Sequence, residues 1–166
     1  MNPNSMTPVD WAKRPVLQKY ADFTGRAPRA EFWWYILAII IVSIIARIID
    51  DLIGMTLVGP YGPLSLILAL GLLVPNIAVG VRRLHDTNRS GWWLLLMVPY
   101  VIATFMMMRS MASGGAAGLG SAGILSLIGL ACCIVLLVFY CLPGTPGDNN
   151  YGPDPYAGVG GSVAAE

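Results

Sequence analysis

Apolar residues along this chain come in four long runs separated by short polar stretches. The runs extend from Phe32 to about Ile49, from Leu64 to Val81, from Trp92 to Met108 and from Ile124 to Leu142. Each holds about 17 to 19 residues, close to the roughly 20 that a helix needs to cross about 30 Å of hydrocarbon. Backbone polar groups in lipid must be satisfied within the segment itself, so runs of this length predict helices. The strands of a membrane barrel would alternate polar and apolar positions over about ten residues, and no stretch of the chain does so. The pattern therefore predicts an all-α membrane protein, a four-helix transmembrane bundle with a polar cytoplasmic cap.

Between the runs the chain is turn-rich. Residues 50–63 carry Asp50, Asp51, Gly54, Gly59, Pro60, Gly62 and Pro63, residues 82–91 read as a tight polar loop, and residues 109–123 as a Gly/Ala/Ser connector. A leader occupies 1–22, the membrane domain 23–156, and a flexible tail 157–166. Within the leader, Pro15 to Phe23 reads as a short interfacial helix, with Val16, Leu17 and Tyr20 on one face and Lys19 and Asp22 towards water. The first apolar run follows a long charged leader and ends in Arg47, Asp50 and Asp51, not in a small-residue cleavage site, so it is expected to remain as an anchor. Pro75 and Pro99 are expected to bend the second and third helices.

Composition agrees with a membrane protein. The chain is 56% hydrophobic and 11% charged, under half the charged share of about 25% in soluble domains. The distribution of charge says more than its total. Of ten basic residues, Lys13, Arg14, Lys19, Arg26 and Arg29 lie before the first run, and Arg82, Arg83 and Arg89 lie between the second and third. Arg47 and Arg109 are the exceptions. The positive-inside rule puts the majority side in the cytoplasm, and four crossings bring both termini there. Trp33, Trp34, Trp92 and Trp93 open runs on that same side, where amphipathic rings are favoured. No basic face is large enough to neutralise several phosphates of a nucleic acid.

Three polar segments share that side: FTGRAPRAEFWW (Phe23–Trp34), RRLHDTNRSGWW (Arg82–Trp93) and PGTPGDNNYGPDPY (Pro143–Tyr156). In this order they resemble a bacterial inner-membrane family, catalogued as domain of unknown function 805, the YhaH-like inner-membrane proteins. The resemblance runs from about Tyr20 to Pro155. One departure is Asn88, where the family most often has glycine. The resemblance implies a fold and a bacterial inner-membrane location, and no activity.

The residues themselves leave alternatives open. His85 and Asp86, flanked by Arg82, Arg83 and Arg89, read as a capped interfacial turn, as a site for an anionic ligand or lipid headgroup, or as an acid–base pair. Arg26 and Arg29 extend the same set of headgroup-binding candidates. Glu31 adjoins the first membrane helix, where an unpaired carboxylate is disfavoured, so Glu31 or Asp86 is expected to pair with Arg82 or Arg83. Asp148, Asn150 and Asp154 lack the spacing and terminal glutamate of a calcium loop and are expected to form turns that fold back to close the cap. Cys132, Cys133 and Cys141 fall in one apolar run without metal-ligand spacing and read as packing residues. No metal or cofactor is expected. The reading is a non-enzymatic membrane component in the bilayer whose cytoplasmic cap binds an anionic lipid headgroup, a soluble ligand or a protein partner, with self-association as a further expectation. A small oligomeric transporter or channel, or a membrane enzyme using His85 and Asp86, are the alternatives.

Overall fold

The structure is a computed structural model that describes residues 6–55, 57, 61–112 and 119–157. Gly59 and Pro60, the centre of the 109–123 connector and the tail from 158 lie outside the described residues. The described residues form five α-helices: α1 (Pro8–Leu17), α2 (Arg29–Ile53), α3 (Pro63–Asp86), α4 (Val98–Ala112) and α5 (Leu119–Cys141). A 3₁₀ segment, Gly91–Met97, leads into α4. The chain divides into two compact units, residues 1–91 with 143–166, and residues 92–142. Three stretches, Pro63–Asp86, Gly91–Ser110 and Ala122–Cys141, are long and apolar enough to cross a membrane. Their large exposed side chains are mostly Leu, Ile, Val, Met and aromatic residues, as a lipid-facing surface requires.

Helix ends depart from the apolar runs wherever polar groups find partners. The leader helix spans Pro8–Leu17 instead of 15–23, because Thr7 caps it. The Thr7 hydroxyl accepts from the Asp10 amide at 3.3 Å, and the Asp10 carboxylate accepts from the Thr7 amide at 3.0 Å. This is a capping box with Pro8 in the first turn, where its missing N–H costs nothing. The face formed by Trp11 and Pro15 is buried.

In the first unit, α2 and α3 are antiparallel neighbours clamped at both ends. At one end α2 continues to Ile53, beyond the run's end at Ile49, and stops at Gly54, whose φ of +71° is the left-handed cap that glycine adopts freely. Asp50, 1% exposed, turns its carboxylate onto the start of α3 and accepts from the amides of Leu64 (3.0 Å) and Ser65 (2.8 Å). A carboxylate there satisfies orphan amides and complements the helix dipole. Gly62 lets this approach happen, because a Cβ would lie 2.4 Å from the Asp50 carboxyl carbon. Midway, the Tyr35 hydroxyl donates to Asn76 Oδ1 at 2.9 Å. At the far end α3 runs on to Asp86, so Arg82, Arg83 and His85 are helical and not part of a loop. α3 is one continuous helix through Pro75.

The second unit pairs α4 with α5. Here the expected bend at Pro99 is instead a change from 3₁₀ to α geometry, with Pro99 in the first turn of α4. Parts of the expected connector, Arg109–Ala112 and Leu119 to Gly123, are helical. The helices touch where Gly129 faces the backbone of Tyr100; a Cβ on Gly129 would lie 2.7 Å from Tyr100 Cα. Small residues permit such close approach between membrane helices. Trp93 meets Phe139 edge to face, with centroids 5.2 Å apart. Cys132, Cys133 and Cys141 are free thiols on α5.

Candidate functional site

The last turn of an α-helix leaves carbonyl oxygens without intrahelical partners. At the end of α3 they are taken by two segments distant in sequence. The Ala27 amide bonds Arg82 O at 3.0 Å, the Thr145 amide bonds Asp86 O at 2.8 Å, and Asn149 Nδ2 bonds His85 O at 2.9 Å. Leu84 O accepts from the Thr87 hydroxyl and from the Arg89 amide, each at 2.9 Å. Asn88, with φ +57°, makes the left-handed turn that closes this end, a conformation asparagine tolerates well.

Charge is paired at the same place. Glu31, fully buried, accepts from Arg82 Nη1 and, at 2.9 Å, from Arg14 Nη1. Asp86 accepts from Arg83 Nη1 on its own helix and, at 3.0 Å, from Arg26 Nε. Both carboxylates therefore bridge two arginines from different segments. Arg26 goes on to hold the tail, its Nη1 donating to Gly147 O and Nη2 to Thr145 O, each at 2.6 Å. Gly144 packs directly on Asp86, where a Cβ would come within 2.4 Å of Oδ2.

The three motif segments thus meet within the first unit, as far as Gly91. The pairing expected between Glu31 and an arginine of α3 is present with Arg82; Asp86 pairs within its helix and with Arg26. Arg26, Arg82 and Arg83 are buried and committed to carboxylates. His85 is half-buried, its Nδ1 3.3 Å from Gly25 O, and its ring lies flat on Tyr151 with centroids 3.9 Å apart. His85 and Asp86 share no hydrogen bond; the carboxylate turns to arginines and the imidazole to Gly25 and Tyr151. Arg89 Nη1 donates to Thr87 O at 3.2 Å.

The tail folds back, though its aspartates build turns instead of meeting the arginines. Asp154 accepts from the amides of Gly147 (3.0 Å) and Tyr156 (2.9 Å), and Asp148 accepts from the Asp154 amide at 3.1 Å. Asn150 is exposed. Docking falls to Thr145, Asn149 and Tyr151, which sequence reasoning did not single out, any more than it did Arg14. Neutral side chains and backbone carbonyls carry no pattern by which to find them. Among the described residues no three His, Cys, Asp or Glu side chains gather as metal ligands.

A cavity of about 180 Å³ opens beside this cluster, lined by Arg29, Asp86, Gly144, Thr145, Asp154 and Tyr156, with Pro143 and Pro146. Arg29 is exposed and forms no ion pair among the described residues. Burial, then the nearby Asp86 carboxylate, raises the Tyr156 phenol above its ordinary range, so this lining residue keeps its proton.

A family model described as "Protein of unknown function (DUF805)" matches residues 20–153, a span containing every contact above except those of Arg14, Asp154 and Tyr156. The chain belongs to this family. Among DUF805 relatives, inner membrane protein YhaI of Escherichia coli K12 is 37% identical over 144 residues, covering 86% of this chain and 93% of its own length. Inner membrane protein YhaH of the same strain is 34% identical over 148 residues, covering 89% and 97%. The uncharacterized protein YiiR of that strain is 26% identical over 145 residues, covering 84% and 89%. No solved structure matches the chain. This DUF805 member is accordingly a membrane protein whose relatives YhaH and YhaI carry inner-membrane names and no named activity.

Proposed function

We propose that the chain is a non-enzymatic, multi-pass component of the bacterial inner membrane with both termini cytoplasmic, whose polar cap binds a phosphate-type oxyanion. α2 is the fourth crossing in this reading. Its 25 residues reach about 37 Å at 1.5 Å per residue, and the run from Phe32 to Ile49 holds only Arg47 as a charge. Arg47 pairs with Asp51 one turn on, near the outer end, where it can snorkel.

The observation that carries the oxyanion reading is Arg29. It is an exposed guanidinium without an ion pair among the described residues, at a cavity that also offers the Tyr156 phenol. Around it the cap gathers Arg14, Arg26, Arg29, Arg82, Arg83 and Arg89 against Glu31, Asp86, Asp148 and Asp154, an excess of two positive charges. The buried arginines are spent on carboxylates, so they set the field while Arg29 supplies the contact. Both Asp86 oxygens are bound by arginine, which removes the acid–base partner that an enzyme using His85 and Asp86 would need.

Either a phospholipid headgroup or a soluble phosphate fits this chemistry, and binding measurements separate them. Inorganic phosphate and glycerol phosphate are titrated onto protein in neutral micelles, and phosphatidylglycerol is presented in nanodiscs. Arg29→Ala is expected to weaken whichever binds by about tenfold or more, the worth of a charge-assisted hydrogen bond. If neither source binds, or Arg29→Ala binds like the wild type, the oxyanion reading is wrong.

A transporter reading has one observation in its favour. Between α2 and α3 lies a cavity of about 240 Å³ whose lining includes Ser43, Arg47, Tyr61, Ser65 and Asn76. Ser65 Oγ is buried there, beside the Asp50 carboxylate that accepts from the Ser65 amide. Solute flux into protein-loaded liposomes, abolished by Ser65→Leu, would favour that reading over the first.

A further inference from the structure

A second surface, away from the cap cavity, has a different composition. α1 and α2 flank an open groove of about 580 Å³, within the range of small-molecule sites. One wall is Val9, Ala12 and Val16 of α1; the other is Trp34, Leu37 and Ile41 of α2. Lys13 is the charged residue on this lining. It is exposed and forms no ion pair among the described residues. The nearest carboxylate along α1, Asp10, is engaged with Thr7 in the capping box.

The depth of the groove identifies what fills it. Its α2 wall lies three to ten residues beyond Glu31, or about 4–15 Å further along the helix. With Glu31 at the polar cluster, that wall stands at the level of acyl chains. A lysine stem can lie along such a wall and lift its ammonium to the headgroups. The lining carries no row of polar partners that would register a peptide backbone.

We propose that this groove seats one acyl chain of an anionic phospholipid from the same leaflet, with the lipid's phosphate on Lys13. The inference rests on the membrane placement of α2 proposed above and not on the Arg29 site. A lipid tail is as apolar as the leucine it touches, so transfer from bilayer to groove gains little by hydrophobicity. Groove shape fixes the chain's position, and Lys13 selects the headgroup. One basic side chain at an anionic surface is worth about fivefold in binding.

Native mass spectrometry of the full chain, released from nanodiscs of mixed phosphatidylglycerol and phosphatidylcholine, tests this. The wild type is expected to retain at least one phosphatidylglycerol in preference to phosphatidylcholine. Lys13→Ala should lower that preference about fivefold, and Lys13→Arg should keep it. Ala12→Trp and Ala38→Trp, which fill the groove from opposite walls, should lose the bound lipid while still eluting as a single species. Should the tryptophan variants fail to fold, the Lys13 series decides alone, since that exposed side chain forms no ion pair among the described residues. Equal retention of the two lipids by the wild type overturns the proposal, as does an unchanged preference in Lys13→Ala. Arg29→Ala must leave the Lys13-dependent lipid in place; if it removes that same lipid, the lipid sits at the cap and the groove assignment fails.

Discussion

Glu31→Ala is expected to destabilise the folded protein by about 3–5 kcal/mol, the cost of stranding a buried charge. Arg82 is 0% exposed, and its Nε and Nη2 have no hydrogen-bond partner among the described residues, so Glu31 is its compensating anion. Arg14 loses the same partner but is 28% exposed at its side chain and can turn to water. Set against a typical total of about 5–15 kcal/mol, the loss should appear as a large fall in thermal midpoint and in monodisperse yield from detergent. A double variant, Glu31→Leu with Arg82→Met, removes both charges and should recover most of the loss, because an apolar pair of similar volume needs no compensation. Should Glu31→Ala melt like the wild type, or the double variant be worse than the single one, the pair does not hold α2 to α3 as described.

Gly144→Ala is expected to release the tail from α3. The added carbon would fall 2.4 Å from Asp86 Oδ2 and 2.8 Å from Cγ. That carboxylate cannot swing aside, since Arg26 and Arg83 grip it from two directions. The backbone from Pro143 to Gly147 must move instead, breaking the bonds from Thr145 to Asp86 O and from Arg26 to the tail carbonyls. Overpacking of this kind costs about 1–3 kcal/mol. Limited digestion with a non-specific protease should then cut the variant between Thr145 and Tyr156 well before the wild type. Gly123→Ala, in open space on α5, serves as the control and should digest normally. Equal protection of Gly144→Ala and wild type would show that the tail is not seated on Asp86.

Much of this arrangement is legible from the chain alone, for a physical reason. Each crossing reverses the side on which the next polar segment emerges, so charge counting is enough to predict that Arg26, His85 and Asp154 share a face. Which arginine meets which carboxylate depends on helical phase and on where each helix stops, and neither follows from apolar run length. α3 keeps Arg82 to Asp86 helical because Ala27, Thr145 and Asn149 satisfy its terminal carbonyls from distant positions. Hydropathy alone predicts a loop there. Arg14 escapes notice as the second partner of Glu31 because apolar periodicity places the leader helix too late. The Thr7-Pro8-Val9-Asp10 start signal lay in plain view, and a short helix is better located by its cap than by its apolar face. Stacking of Tyr151 on His85 had no sequence signal at all.

A cap joining α3 to the C-terminal tail requires both to lie on one side of the membrane, with the α2–α3 turn on the other. Single cysteines at Met55, Asn88, Ala117 and Ala157, placed in a chain whose native Cys132, Cys133 and Cys141 are replaced by alanine, test this with a membrane-impermeant thiol reagent on intact cells. The expected result is labelling of Met55→Cys and Ala117→Cys from outside, with Asn88→Cys and Ala157→Cys reacting only after the membrane is opened. Labelling of Asn88→Cys and Ala157→Cys from opposite sides would contradict the account, because no cap could then join α3 to the tail.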